Sequence, residues 1–320
     1  MSILNRPYFR DEEAAHAFLE SILWPSGTVC PHCGVIGTAY KIAANPEKRV
    51  RYGLYKCKDC RKQFTVKVGT VFEHARVPLY KALQAAYLLC SSKKGISAHQ
   101  ISRSLEISIK AAWFLMHRVR EAMAPHPQLF EMMGGRRKTV EVDETYVGGR
   151  ETNKHKWKRA PKWQWADAKE AVISLVERGG KVRSYQVPSV NARNISKVLR
   201  EQLKEGTTIY SDQLKSYKTI RPIRHRPTAS VNHSIGEYVR GDVHTNTIEG
   251  YFSILKRGIN GVYHHVSPKH LKRYLAEFDF RYNERAALEV DDFTRTMRAL
   301  LGIKGKRLTY KQGPGLEAQA

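Results

Sequence analysis

The sequence predicts a multidomain chain: a zinc ribbon, a helix-turn-helix, and then an α/β domain whose mixed sheet is flanked by helices. Three observations predict it. Two CxxC pairs, Cys30 with Cys33 and Cys57 with Cys60, lie within the first 60 residues. Apolar residues then recur at helical spacing in a basic stretch, and after residue 137 candidate strands alternate with helices. A chain of 320 residues is long enough for two or three compact units. The expected boundaries are 1–26 for an N-terminal helix, 27–74 for the ribbon, 75–125 for the helix-turn-helix, 137–290 for the α/β domain and 291–320 for a C-terminal helix and flexible tail.

In the opening segment FRDEEAAHAFLESILWPSG, Phe9, Ala14, Phe18 and Leu19 or Ile22 fall at helical spacing, and Pro25 and Gly27 end the helix. VCPHCG and YKCKDCRKQF follow as two knuckles. Each CxxC turn points two sulfurs inward from one backbone reversal, so Cys30, Cys33, Cys57 and Cys60 suit one tetrahedral structural Zn²⁺. A redox dithiol would explain one such pair but not two. Lys58, Arg61 and Lys62 beside the second knuckle are candidate nucleic-acid contacts, although a ribbon can also act as a stabilising clip alone.

Between residues 77 and 123 three helices are expected. Leu79, Leu83, Ala86 and Leu89 line the first; Ser97 caps a short second helix carrying Ile101 and Leu105; Ala112, Leu115, Met116 and Val119 line the third. A short helix, a break at Glu106-Ile107-Ser108 and a basic helix give the helix-turn-helix pattern, with Lys110, Arg118 and Arg120 as candidate DNA contacts. The alternative is an ordinary bundle with a solvated basic face. Cys90, in an apolar run, is expected in the core.

Beyond a Gly- and Arg-rich linker, strands are expected at TVEVDETYVGG, EAVISLVERGG, VRSYQVP and TTIYSD, with helices at NISKVLREQLKEG, NTIEGYFSILKRGI and SPKHLKRYLAEFDFRYN. The insert KHKWKRAPKWQWADAK mixes Trp157, Trp163 and Trp165 with lysines, as a backbone-clamping loop or a linker would. Its chemistry is otherwise undistinguished.

Charge narrows the partners. Fifty-five Lys and Arg against 30 Asp and Glu give a net charge of +25, which calls for a polyanion, DNA or RNA before an anionic membrane. No apolar run approaches the ~20 residues of a spanning helix, and the first residues lack a signal-peptide pattern. The expected location is cytoplasmic, with the nucleoid. Five cysteines with two CxxC pairs also fit a reducing compartment.

In so basic a chain, the acids stand out. Strand alternation turns Glu141 and Asp143 to one face and Val140, Val142 and Glu144 to the other. Asp212 ends an apolar strand, where open α/β sheets place their chemistry. Glu249 lies seven residues before Lys256, about two helical turns, so the pair share a face. Three carboxylates make a hard oxygen pocket for Mg²⁺ or Mn²⁺. Each acid could also be an ordinary solvated carboxylate, and Asp212 a helix cap. His264 and His265 have no cysteine near them and suit hydrogen bonding better than metal.

VEVDETYVGGR, IYSD, the block VNHSIGEYVRGDVHTNTIEGYFSILKRGINGVYHHVSPKHLKRYLAEFDFRYN and the ribbon CPHCG with CKDCRKQFTVKVGTVFE together resemble the ISXO-type insertion-sequence transposases, over nearly all of residues 20–290. The resemblance implies an RNase H-like DDE catalytic domain over 137–290, with Asp143, Asp212 and Glu249 as the triad on two Mg²⁺ (or Mn²⁺) ions. Lys256 matches the basic residue that follows the glutamate, and Arg257 beside it is a further candidate DNA contact. His244 and Asn246, in the same block, are alternative third ligands. The implied function is binding of element terminal repeats, DNA strand cleavage and strand transfer. A homodimer or larger assembly would bring two ends together. The rival readings are a non-catalytic DNA-binding regulator and a metal-dependent nuclease without strand transfer.

Overall fold

The computed structural model describes residues 3–45, 47–48, 50–126, 131–149, 152, 155–159, 161, 169–212, 228–231 and 239–309. The chain forms two compact units, one from residues 1–124 with those from 289 onward, the other from 125–288.

In the first unit, α1 (Glu12–Leu23) begins where the Asp11 side chain accepts the Ala14 N–H at 2.7 Å, and it turns Ala15, Leu19, Ile22 and Leu23 inward. The ribbon follows as an antiparallel sheet of β1 (Ala39–Lys41), β2 (Tyr55–Cys57) and β3 (Gln63–Phe64). So small a sheet cannot bury much, and aromatic rings fill it. Trp24 meets Tyr55 and Phe64 edge-on at 5.4 and 6.0 Å, and the Tyr55 hydroxyl donates to Glu20 of α1 at 2.8 Å. Next come α2 (Leu79–Ser91), α3 (Ala98–Leu105) and α4 (Ile109–Met123). Ser97 and Ser108 cap α3 and α4 by accepting the N–H groups of Gln100 and Ala111, and Glu106, with φ of 50°, closes α3. Cys90 is fully buried in α2.

The second unit is built on β4 (Thr139–Val147), β5 (Glu170–Glu177), β6 (Val182–Val187), α5 (Ala192–Gln202), β7 (Thr208–Asp212) and β8 (Thr228–Val231). The sheet order is β6-β5-β4-β7-β8, antiparallel from β6 to β4 and parallel from β4 to β8. A hairpin of β9 (Val239–Arg240) and β10 (Val243–His244) leads into α6 (Asn246–Gly258), a π-helical turn (Ile259–Tyr263) and α7 (Pro268–Asn283). The period-2 pattern sorts the two faces. Val140, Val142 and Ile209 pack with Ile195 and Leu199 of α5, whereas Val147, Val172 and Val182 pack with Ile248 and Leu255 of α6 and Leu275 of α7. Asp279 of α7 fastens this layer: it accepts from the Tyr251 hydroxyl at 2.5 Å and from both the hydroxyl and the N–H of Ser184 at 2.8 Å.

The chain then returns to the first unit as α8 (Asp292–Leu301), which packs on α2, α1 and α4. The Val71 N–H donates to Ile303 at 3.1 Å and the Gly305 N–H to Gly69 at 2.8 Å. Gly302 lies so close to α4 that a Cβ there would come within 2.3 Å of the Ala122 carbonyl. The predicted strands and helices of the second unit have these counterparts, while β8 and the β9–β10 hairpin had no strand-length apolar pattern to announce them. Trp163 and Trp165 lie outside the described residues.

Candidate functional site

The cysteine cluster comes first. The Sγ atoms of Cys30 and Cys60 are 3.7 Å apart, as are those of Cys33 and Cys57, and all four lie within 4.8 Å of one another. Zinc–sulfur bonds of ~2.3 Å place tetrahedral sulfurs about 3.8 Å apart, so the four thiols fit one structural Zn²⁺. Each knuckle is shaped by its own backbone: the Gly34 N–H returns to the Cys30 carbonyl at 2.9 Å, and the Cys57 N–H to Lys62 at 3.1 Å. The N–H groups of Cys60 and Asp59 face the Cys57 sulfur and bring its thiol down to about 7 against the opposing effect of burial.

The basic candidates divide by exposure. Lys58, Arg61 and Lys62 are exposed around the second knuckle, and Lys110 is exposed at the start of α4. Arg118 and Arg120 are a correction: only 7% and 1% of their surfaces remain exposed. The Arg118 guanidinium donates to the Glu73 carbonyl at 2.8 Å and stacks on Phe114, so it serves the interior and not a DNA-facing surface. Helical spacing could not reveal this, because α4 is covered along its second half on more than one side.

The candidate acids all lie in the second unit. β4 and β7 run parallel with Val142 opposite Ser211, so the next residues, Asp143 at the middle of β4 and Asp212 at the end of β7, stand side by side. Val140 and Ile209 belong to the α5 core, which turns Glu141, Asp143, Tyr210 and Asp212 to the opposite, α6 face. Burial, and then the charges of Glu144, Asp212 and Glu249, push the Asp143 carboxyl up to about 7, although the Glu144 N–H donates to it at 2.8 Å. Glu249 is exposed in the first turn of α6 and accepts from the Thr245 hydroxyl at 3.1 Å. Lys256 and Arg257, exposed in the last turn, share that helix; Arg257 donates to the Ser253 carbonyl at 3.2 Å. Among the described residues, the cysteines alone draw three or more donor atoms within 4.8 Å, so the carboxylates stand farther apart than the thiols. Their chemistry is that of an oxygen-only donor set, which fits Mg²⁺ or Mn²⁺ and not a soft metal.

Of the alternative third residues, His244 faces Glu141, with Nδ1 at 3.4 Å from Oε1, and Asn246 is exposed at the start of α6. Sequence reasoning missed Arg178. It follows β5, donates to Glu141 at 2.7 Å and stacks 4.8 Å from the Tyr210 ring centre. No local motif marks it.

Comparison with known proteins places these features. Residues 133–283 match the ISXO2-like transposase domain, and residues 10–63 match the transposase zinc-ribbon domain. The chain is 30% identical over 289 residues to an uncharacterized protein in transposable element ISH50 of Halobacterium salinarum, a span covering 85% of this chain and 91% of that one. It is 24% identical over 103 residues to an uncharacterized transposase-like protein of Haemophilus influenzae, covering 32% of this chain and 81% of that one. Both matched domains are those of transposases. The chain belongs to the ISXO2-like transposases of insertion sequences. Among its described residues, no helix is long and apolar enough to cross a membrane.

Proposed function

We propose that this transposase binds the terminal repeats of its element and cuts and joins DNA strands at an RNase H-like carboxylate site formed by Asp143, Asp212 and Glu249. One observation carries the reading. Asp143, midway along β4, and Asp212, at the end of the adjacent parallel β7, lie on the face covered by the helix of Glu249, where burial and then the neighbouring charges, Asp212 and Glu249 among them, lift the Asp143 carboxyl to about 7. So costly a concentration of negative charge in a +25 chain suits a cation site.

The three carboxylates would hold two Mg²⁺ or Mn²⁺ ions. Such ions supply neutralisation of the phosphate charge and activation of the attacking oxygen. The residues of the chain do the rest. The Glu144 N–H orients the Asp143 carboxylate, and the Thr245 hydroxyl orients Glu249. Lys256, in helical phase with Glu249, reaches the backbone beside the scissile phosphate, with Arg257 as a neighbouring contact. The nucleophile is water or a DNA 3′-hydroxyl, so no protein–DNA covalent intermediate forms.

Lys58, Arg61, Lys62 and Lys110 supply phosphate contacts to the element end, with α3 and α4 as the helix-turn-helix. Joining two ends requires at least a dimer on DNA. The test is strand transfer of pre-cut element ends into plasmid in Mg²⁺. Native protein is expected to join them, and Asp143→Asn to bind the ends equally and join none. Equal binding with no joining by either protein would favour a DNA-binding regulator.

A further inference from the structure

Glu141 is the most deeply buried carboxylate beside the site, with none of its side chain exposed, yet the proposed chemistry does not use it. Its strand phase would allow it to serve as a ligand together with Asp143. Its partners decide otherwise. Oε1 accepts from Arg178 Nε at 2.7 Å and from the Thr247 hydroxyl at 2.8 Å, and Oε2 accepts from the Ile248 N–H at 3.0 Å. Both oxygens are therefore engaged by Arg178 and by the first turn of α6.

These partners converge on the start of α6. The cap residue of that helix, Thr245, makes no side-chain capping bond, and Ile248 is the third helical residue, whose N–H a local cap would ordinarily satisfy. Glu141, from a different element, supplies that bond. Its negative charge also lies at the positive end of the helix dipole. Arg178 extends the clamp, donating to the Asp242 carbonyl at 2.8 Å and to the His244 carbonyl at 3.0 Å. The loop entering α6 is thus tied to the same carboxylate. Glu249 is one residue beyond Ile248, and Asp143 is two residues beyond Glu141, so a single buried carboxylate links the backbones that carry two of the three acids.

We infer that Glu141, clamped by Arg178, is a positioning residue that caps α6 from β4 and thereby fixes Glu249 opposite Asp143 and Asp212. The inference rests on the carboxylate-site reading above. A group that orients metal ligands through hydrogen bonds changes metal affinity by about 10- to 100-fold when altered. Glu141→Gln keeps the shape but turns an amide N–H₂ toward one of three donors, so it loosens the helix start without removing any of the proposed ligands.

The experiment measures Mn²⁺ binding to the zinc-loaded full chain by titration calorimetry without DNA, hydrogen exchange over residues 246–258, and strand transfer. Glu141→Gln is expected to weaken Mn²⁺ binding about 10-fold or more and to quicken exchange at the start of α6, with zinc content and binding to element ends unchanged. Strand transfer should fall through kcat with little change in the apparent KM for DNA. Thr247→Val, which removes one bond of the three, should shift the same quantities in the same direction by a smaller factor and keeps the test open if Glu141→Gln fails to fold. Native Mn²⁺ affinity and native exchange in a folded Glu141→Gln, or in Thr247→Val if that variant alone folds, would overturn the positioning role by itself. Native protein that neither binds Mn²⁺ nor joins ends would instead sink the carboxylate-site reading, and the positioning role with it.

Discussion

Asp143→Asn should make the protein more stable when no divalent cation is supplied. The Asp143 carboxyl is raised from 3.8 to about 7, by burial first and then by Glu144, Asp212 and Glu249. At ~1.4 kcal/mol per decade, that rise means ionising Asp143 in the folded chain costs ~4 kcal/mol at most. Water reaching this partly exposed side chain screens the neighbouring charges, so about 2 kcal/mol is the expected effect. The sign follows from the direction of the shift. A carboxyl that holds its proton more tightly when folded contributes stability at low pH, loses it as pH rises from about 4 to about 7, and has lost it fully above 7. Asparagine keeps an oxygen for the Glu144 N–H and has no charge to lose. In zinc-loaded, magnesium-free protein at pH 8, the calorimetric transition of the second unit should therefore rise by about 4–8 °C in the variant, taking 2–4 °C per kcal/mol for a unit of this size. Near pH 4 the two proteins should coincide. Added Mg²⁺ should raise the native transition at pH 8, and its effect should weaken below pH 7, where protons compete for the carboxylate. A variant less stable than native at pH 8 would refute the crowding argument.

Cys57→Ser should lose the bound zinc, measured as metal content, and with it the fold of the ribbon, because three strands of two or three residues around a few rings cannot hold themselves. Replacing Lys58, Arg61 and Lys62 by alanine should weaken binding to DNA of any sequence and lower the salt slope of the binding constant by about 2–3. Arg120→Ala, in contrast, should leave that slope unchanged and lower the melting temperature of the first unit, since its side chain is buried. Gly302→Ala should destabilise the first unit by about 1–3 kcal/mol in urea unfolding, because a methyl group there meets the Ala122 carbonyl at 2.3 Å and α8 must shift.

The placement of the candidate acids was legible before any coordinates. Alternation in TVEVDETYV assigns Asp143 and Glu141 to one face, and an apolar run ending at Asp212 marks a strand end, because side-chain direction in a strand depends only on neighbours in sequence. Helical phase likewise pairs Glu249 with Lys256. The cysteine spacing announced the metal cluster for a similar reason: a CxxC turn closes within four residues. Arg118 and Arg120 were misread because a basic residue on a helix looks the same whether its face is solvated or covered.

The sequence by itself determined the helices and longer strands, the two CxxC knuckles and the candidate acids, since each follows from chemistry within a few residues, whereas β8 and the β9–β10 hairpin did not show in it. Tertiary structure alone decided that β4 and β7 pair in the register that sets Asp143 beside Asp212, and that α8 returns to the first unit. It also decided that Glu141 caps a helix 107 residues away. Such contacts depend on which surfaces close upon each other when the apolar faces are buried, and no local pattern encodes that choice.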